Sequence, residues 1–224
     1  MEGKDKWKTL NIEILNSIYE VCKNTADMFT GIIESLGKII SLENNGSNKT
    51  FWIESDISAD LKIDESISHN GVCLTIEETK NTTHKVTAIK ETLDKTNLAD
   101  LIPGDLLNLE RSMIMNSRID GHIVQGHVDG IAECIGKKEM NGSWEYIFRV
   151  RKKFAPLIIE KGSICVNGVS LTALNVRRKK FTVAIIPYTF EHTNFFTIQL
   201  KSKVNIEFDV FGKYIQRMQS LRST

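Results

Sequence analysis

Asn70-Gly71-Val72-Cys73-Leu74-Thr75 is repeated almost unchanged as Asn167-Gly168-Val169-Ser170-Leu171-Thr172. Five of the six positions are identical, at an offset of 97 from Thr75 to Thr172. The match extends outward at the same offset: Ser66 to Ser163, Val86 to Val183, Thr92 to Thr189, Thr96-Asn97 to Thr193-Asn194, and Asn108-Leu109-Glu110 to Asn205-Ile206-Glu207. Upstream, Gly31-Ile32-Ile33-Glu34 matches Gly130-Ile131-Ala132-Glu133 with the offset slipped to 99. A period this long is not that of a solenoid, so the repeat predicts two domains of one fold.

Within each copy the pattern is that of a strand. Val72, Leu74 and Ile76 alternate with Cys73 and Thr75, and Val169 and Leu171 with Ser170 and Thr172, which puts an apolar set on one face and small polar groups on the other. From Met28 to about Met113, short runs rich in Ile, Val, Thr, Phe and Trp are separated by turn residues at Asn44-Asn45-Gly46, Asn81 and Pro103-Gly104. In the second unit Asn141-Gly142 marks a hairpin, and 164–176 and 181–186 read as strands. The expectation is all-β, with one small closed barrel per unit over residues 28–119 and 120–209. Short helices are expected at 93–101 and 154–161. At the end, Val210, Phe211, Tyr214, Ile215, Met218 and Leu221 fall on one side of a helix at 210–224, opposite Lys213, Gln216 and Arg217. That stripe could lie on its own domains or on the same helix of another subunit. Residues 1–27 form an extension with the apolar spacing of an amphipathic helix. Its acidic residues Glu2, Asp5, Glu13, Glu20 and Asp27, without arginine, disfavour a targeting peptide.

Composition narrows the partners. The net charge is +1 without a charge block, which argues against nucleic acid, although Arg177-Arg178-Lys179-Lys180 is locally basic. No apolar run approaches the roughly 20 residues of a membrane helix. Cys22, Cys73, Cys134 and Cys165 form no CxxC pair, which speaks against structural zinc and for reduced thiols in the cytosol. GxGxxG, the Walker loop and GxSxG are all missing. The spacing His122-x4-His127 is not that of a zinc protease, and on a strand it would turn the two rings to opposite faces.

What remains is a pair of matching polar patches. A merely solvated face has no reason to be kept twice. Each patch offers a glycine turn, small hydroxyl or thiol groups and apolar neighbours, as suits a flat heterocycle rich in hydrogen-bonding atoms. Thr92 and Thr96 in one copy match Thr189 and Thr193 in the other. The copies differ chemically: His127, Lys161 and Ser170 stand against Met28, Asp64 and Cys73. The second patch therefore reads as equipped for proton transfer, and the first for holding a ligand.

Met28-Phe29-Thr30-Gly31-Ile32-Ile33-Glu34, His69 to Thr75, Lys90-Glu91-Thr92, Gly121-His122-x4-Gly126-His127 and Gly168 to Thr172 together resemble riboflavin synthase of the alpha-subunit type. The resemblance runs from Met28 to about Arg217. It implies two tandem six-stranded antiparallel β-barrels and a C-terminal helix through which three subunits associate. It also implies a cytoplasmic transferase, acting last in riboflavin biosynthesis and associating with lumazine synthase. Two molecules of 6,7-dimethyl-8-ribityllumazine would dismutate to riboflavin and 5-amino-6-(D-ribitylamino)uracil, with no cofactor or metal, at a site between the N-barrel of one subunit and the C-barrel of the next. Carried over, the N-barrel site would use Gly31, Ile32 and Ile33, Cys73, Leu74 and Thr75, and Thr87, Ala88, Ile89, Lys90, Glu91 and Thr92. The C-barrel site would use Gly126, His127 and Val128, Lys161, Ser170, Leu171 and Thr172, and Ile186, Pro187, Tyr188, Thr189, Phe190 and Glu191. Phe29, Cys73, His127 and Ser170 are expected to matter most for turnover, His127 and Ser170 through proton transfer and nucleophile delivery. Asn167 stands where many members carry Asp, which puts an acid role there in doubt. Carriers of the same fold bind lumazine or flavin without turnover, but tend to have lost one of the two sites. Here both motifs are intact.

Overall fold

The computed structural model describes residues 28–114 and 116–222. The extension at residues 1–27, expected to be disordered or to pack as one extra helix, lies outside them. The first sheet contains β1 (Ser35–Asn45), β2 (Asn48–Glu54), β3 (Ser66–His69), β4 (Val72–Thr75), β5 (Glu78–Lys80), β6 (Thr83–Ala88) and β7 (Leu106–Arg111), paired in the order β4-β3-β7-β1-β2-β6-β5. The second contains β8 (Gly130–Met140), β9 (Ser143–Arg149), β10 (Ser163–Val166), β11 (Val169–Thr172), β12 (Leu174–Arg177), β13 (Lys180–Ile185) and β14 (Lys203–Phe208), in the corresponding order β11-β10-β14-β8-β9-β13-β12. The fold is mostly β, in two tandem antiparallel units, as the repeat required.

The strand count corrects the expectation: each sheet has seven strands, not six. The run read as one strand over 164–176 is three: Asn167 and Gly168 take left-handed φ of 46° and 82° and turn the chain back between the first two, and the strand breaks again at Ala173. Each sheet curls, bringing β4 beside β6 and β11 beside β13. The ladders end at β4 and β5, and at β11 and β12, so each unit is a curled half-barrel and not a closed one among the described residues. Helices also fall differently from the expected 93–101 and 154–161. Both units carry a short helix after the sixth strand, α1 (Lys90–Lys95) and α2 (Pro187–His192), followed by a 3-10 turn. Another 3-10 segment spans Lys152–Leu157.

Each half-barrel encloses its own core, around Phe51, Ile67 and Leu109 in the first and Tyr146, Phe148 and Phe181 in the second. Strands β7 and β14 are buried on both faces. Leu107 and Leu109 point inward, while Asn108 and Glu110 face the other unit. The two units meet through β7, β14, the 3-10 turns at Asn97 and Asn194 and the paired Asn-Gly turns. Asn108 Nδ2 donates to Asn167 O (2.8 Å), and Asn205 Nδ2 donates to Asn70 O (2.9 Å). The terminal helix α3 (Val210–Arg222) leaves Phe211, Tyr214, Ile215, Met218 and Leu221 exposed. No helix among the described residues is long and apolar enough to cross a membrane.

Candidate functional site

The site is built by two loops that cross between the units. Phe29 pairs with Val124 as an antiparallel bridge: Phe29 N donates to Val124 O (2.7 Å) and Val124 N to Phe29 O (3.0 Å). Beyond it the two strands of chain separate to opposite sides. Ser170 N donates to Gly31 O (2.8 Å), and Ile33 packs on the second core. In mirror fashion Cys73 N donates to Gly126 O (2.9 Å), and Val128 packs on the first core. Both glycines sit at φ near 75–78°, and a Cβ on either would lie within 2.6 Å of a Ser170 or Cys73 atom. Only glycine allows this approach.

This crossing corrects the alignment of the loops. Glu34 N donates to Leu109 O, and Asp129 N to Ile206 O. The equivalent of Glu34 is therefore Asp129, the true offset here is 95, and the match of Gly31-Ile32-Ile33-Glu34 with Gly130-Ile131-Ala132-Glu133 does not hold. The counterpart of His127 is Ile32, not Met28.

The grouping of site residues changes accordingly. Gly31, Ile32 and Ile33, expected with the first unit, belong to the second. A cavity of about 390 Å³ is lined there by Ile32, Gly121, Ser170, Leu171, Thr172, Ile186 and Thr189. Gly126, His127 and Val128, expected with the second unit, line a cavity of about 270 Å³ on the first, with Val72, Cys73, Glu91 and Thr92. Sequence order assigned each loop to the unit that follows it in the chain; in three dimensions each covers the other one.

The expected pairing of His127 with Ser170 is replaced. His122 Nδ1 lies 2.7 Å from Ser170 Oγ. His122 is buried, and burial holds its pKa below the ordinary imidazole value while Asp209 pulls the other way. His127 is exposed at the Cys73 cavity. The two rings stand apart, as the His122-x4-His127 spacing suggested, although the segment is irregular and not a strand.

Other expected residues have plainer places. Phe29 is fully buried against Val124 and Cys165, behind Cys73, so it packs and does not reach a cavity. Leu74 and Ala88 are core residues, Thr75 is exposed, and Thr87 hydrogen bonds Thr50 (2.9 Å). Ile89 precedes α1 and is exposed, and Lys90 pairs with Asp94 (2.8 Å). Pro187 opens α2, Tyr188 stacks on His192, Glu191 is exposed, and Phe190 stacks on Trp144 at 3.7 Å. Lys161 is exposed in a turn at φ 64° and lines neither cavity. Asn167 is buried at the interface between the units, where its Oδ1 accepts from Asn205 N (2.8 Å).

Sequence reasoning missed two glutamates. Glu110 accepts from Thr30 N (2.6 Å), Thr30 Oγ1 (2.7 Å) and Gly31 N (3.0 Å). Glu207 accepts from Gln125 N (2.7 Å) and His127 N (3.0 Å). Burial pushes the Glu110 carboxyl up to about 7 despite the amides it accepts from, and raises that of Glu207. The repeated Asn-x-Glu of β7 and β14 was the visible signal.

Residues 30–112 and 125–209 each match the family model of the lumazine binding domain. The chain is 38% identical over 191 residues to the riboflavin synthase of Actinobacillus pleuropneumoniae and 40% identical to that of Bacillus subtilis (strain 168), covering in each case 85% of this chain and 89% of the relative. Among solved structures, LumP complexed with riboflavin matches with a TM-score of 0.76 at 21% identity, over 80% of this chain and 98% of that one, a likeness of fold. With two matching lumazine-binding repeats on two matching cavities, the chain belongs to the riboflavin synthase family.

Proposed function

We propose that the protein is a transferase that converts two molecules of 6,7-dimethyl-8-ribityllumazine to riboflavin and 5-amino-6-(D-ribitylamino)uracil. The observation that carries this is the pair of matched cavities, one per unit, each walled in part by the loop that crosses from the other unit. A reaction between two copies of one substrate calls for two sites of one shape. The cavities differ where chemistry would need them to differ. At Ser170, the buried imidazole of His122 is a neutral base within hydrogen-bonding distance of a hydroxyl. It is suited to taking a proton through that hydroxyl from the acidic 7-methyl group of a bound lumazine. The resulting anion is delocalised over the ring. At Cys73, a thiol and the exposed His127 stand beside the ring that would be activated at C7. Orientation of the two rings supplies much of the remaining rate.

The open apolar stripe of α3 supports association of three chains through this helix, which would bring the first cavity of one chain to the second cavity of its neighbour. The thiols Cys73, Cys134 and Cys165 suit a reducing cytoplasm. A carrier without turnover is the weaker reading, since both cavities keep their polar groups. Incubation with the lumazine alone tests the proposal: riboflavin should appear catalytically, and tight binding without product would refute it.

A further inference from the structure

We propose that Glu110 and Glu207 are positioning residues for the opposite unit's cavity, Glu110 setting the Ser170 cavity and Glu207 the Cys73 cavity. The inference rests on the reading that both cavities take the same lumazine. By its strand, Glu110 belongs to the first sheet, opposite Ser68. Its carboxylate nonetheless holds Thr30 and Gly31, while Gly31 O holds Ser170 N and Ile32 lines the Ser170 cavity. Glu207 stands opposite Cys165 in the second sheet. It holds the amides of Gln125 and His127, while Gly126 O holds Cys73 N and His127 lines the Cys73 cavity.

In each loop the left-handed glycine turns neighbouring N–H groups toward a single carboxylate, a nest that a charged acceptor fills better than any neutral group. Beyond the Phe29–Val124 bridge the loops are held through their carbonyls, Thr30 O by His122 N, Gly31 O by Ser170 N and Gly126 O by Cys73 N, while their amides turn to the glutamate. The glutamate therefore decides where the cavity wall stands. A residue that served only stability would loosen both cavities, or its own unit first. A positioning residue of this kind acts on the far cavity and spares the near one.

Hydrogen exchange on the full chain reads the loops without ligand. Glu110→Gln should speed exchange at Thr30 and Gly31 by about tenfold or more and leave Gln125 and His127 unchanged, with Glu207→Gln doing the reverse. Titration with 6,7-dimethyl-8-ribityllumazine, followed at the amides of Ser170 and Cys73 by NMR, separates the cavities. Glu110→Gln should weaken binding at Ser170 by about tenfold and spare Cys73, and Glu207→Gln the opposite. Thr30→Val keeps Glu110 and removes one donor; it should shift the same cavity by less, and serves if Glu110→Gln does not fold. Equal weakening of both cavities, or weakening confined to the glutamate's own unit, overturns the proposal. If the wild type binds the lumazine at neither cavity, the functional reading fails instead, and unchanged exchange at Thr30 and Gly31 in Glu110→Gln would still overturn the positioning role.

Discussion

Gly71 and Gly168 face each other so closely that a Cβ on either would sit 2.8 Å from the backbone nitrogen of the other. The repeat that organises the sequence is thus in contact with itself. Each glycine also takes φ near 80° in the second position of its two-residue hairpin, so two separate reasons exclude a side chain. Gly71→Ala should destabilise the protein by more than about 1 kcal/mol, from strain and from separating the units. Denaturant unfolding checks this; an unchanged midpoint would mean that the two units are not held by this contact.

Asn167 faces the same interface and lines neither the Cys73 nor the Ser170 cavity. Its Oδ1 accepts from Asn205 N and from Asn97 Nδ2 (3.4 Å), roles that a carboxylate can also fill. Asn167→Asp should therefore keep turnover within about threefold of the parent, whereas Asn167→Leu should destabilise, because it strips those donors of their acceptor. A steady-state assay with a thermal melt separates the two. The concern raised by an amide in place of an acid then disappears.

The first core contains a buried polar chain that the second lacks. His69 Nε2 lies 2.9 Å from His84 Nε2, His84 Nδ1 lies 2.7 Å from Ser58 Oγ, and Ser58 Oγ lies 2.7 Å from Ser55 Oγ. At the matching positions the second unit has Val166 and Phe181. Burial lowers the pKa of His84 to about 4 and holds His69 well below the ordinary value. A histidine with a lowered folded pKa contributes its full stability above the unfolded value near 6.5, and loses it as the pH falls toward the folded value. For His84 that loss amounts to about 3 kcal/mol by pH 4. Glu110, whose folded pKa is raised from the ordinary carboxyl value to about 7, acts in the opposite direction over the upper part of this window, and Glu207 is shifted in the same sense. Copying the second unit, with His69→Val and His84→Phe together, should flatten the acid limb of a stability profile between about pH 6.5 and 4. A limb of unchanged slope would show that these imidazoles are not its source.

His122, not His127, should carry proton transfer at Ser170. His122→Gln is expected to lower kcat by about 10²–10⁴-fold while lumazine affinity survives. His127→Gln should act through the Cys73 cavity. Pre-steady-state turnover with a parallel binding titration distinguishes the two, and full activity in His122→Gln would remove the base from the scheme.

The duplication, the hairpin glycines and the inward set Val72, Leu74 and Ile76 were legible in sequence, because period-two alternation and an Asn-Gly pair have few other solutions. The seventh strand was not, since β5 is only Glu78–Lys80, too short to show a period. The ownership of the cavities was hidden for a different reason. Phe29 to Ile33 and Val124 to Val128 cross between units through a single bridge, and no local pattern says which sheet a loop will cover. Glu110 and Glu207 lay in plain view as a repeated Asn-x-Glu, but a glutamate in a strand reads as solvated until the opposing unit is seen to bury it.

The most direct test of the account is a product balance. The purified protein is incubated with 6,7-dimethyl-8-ribityllumazine and no added cofactor, and substrate, riboflavin and 5-amino-6-(D-ribitylamino)uracil are quantified over many turnovers. One molecule of each product should form for every two lumazines consumed. Lumazine held in the Cys73 and Ser170 cavities but never consumed would contradict it.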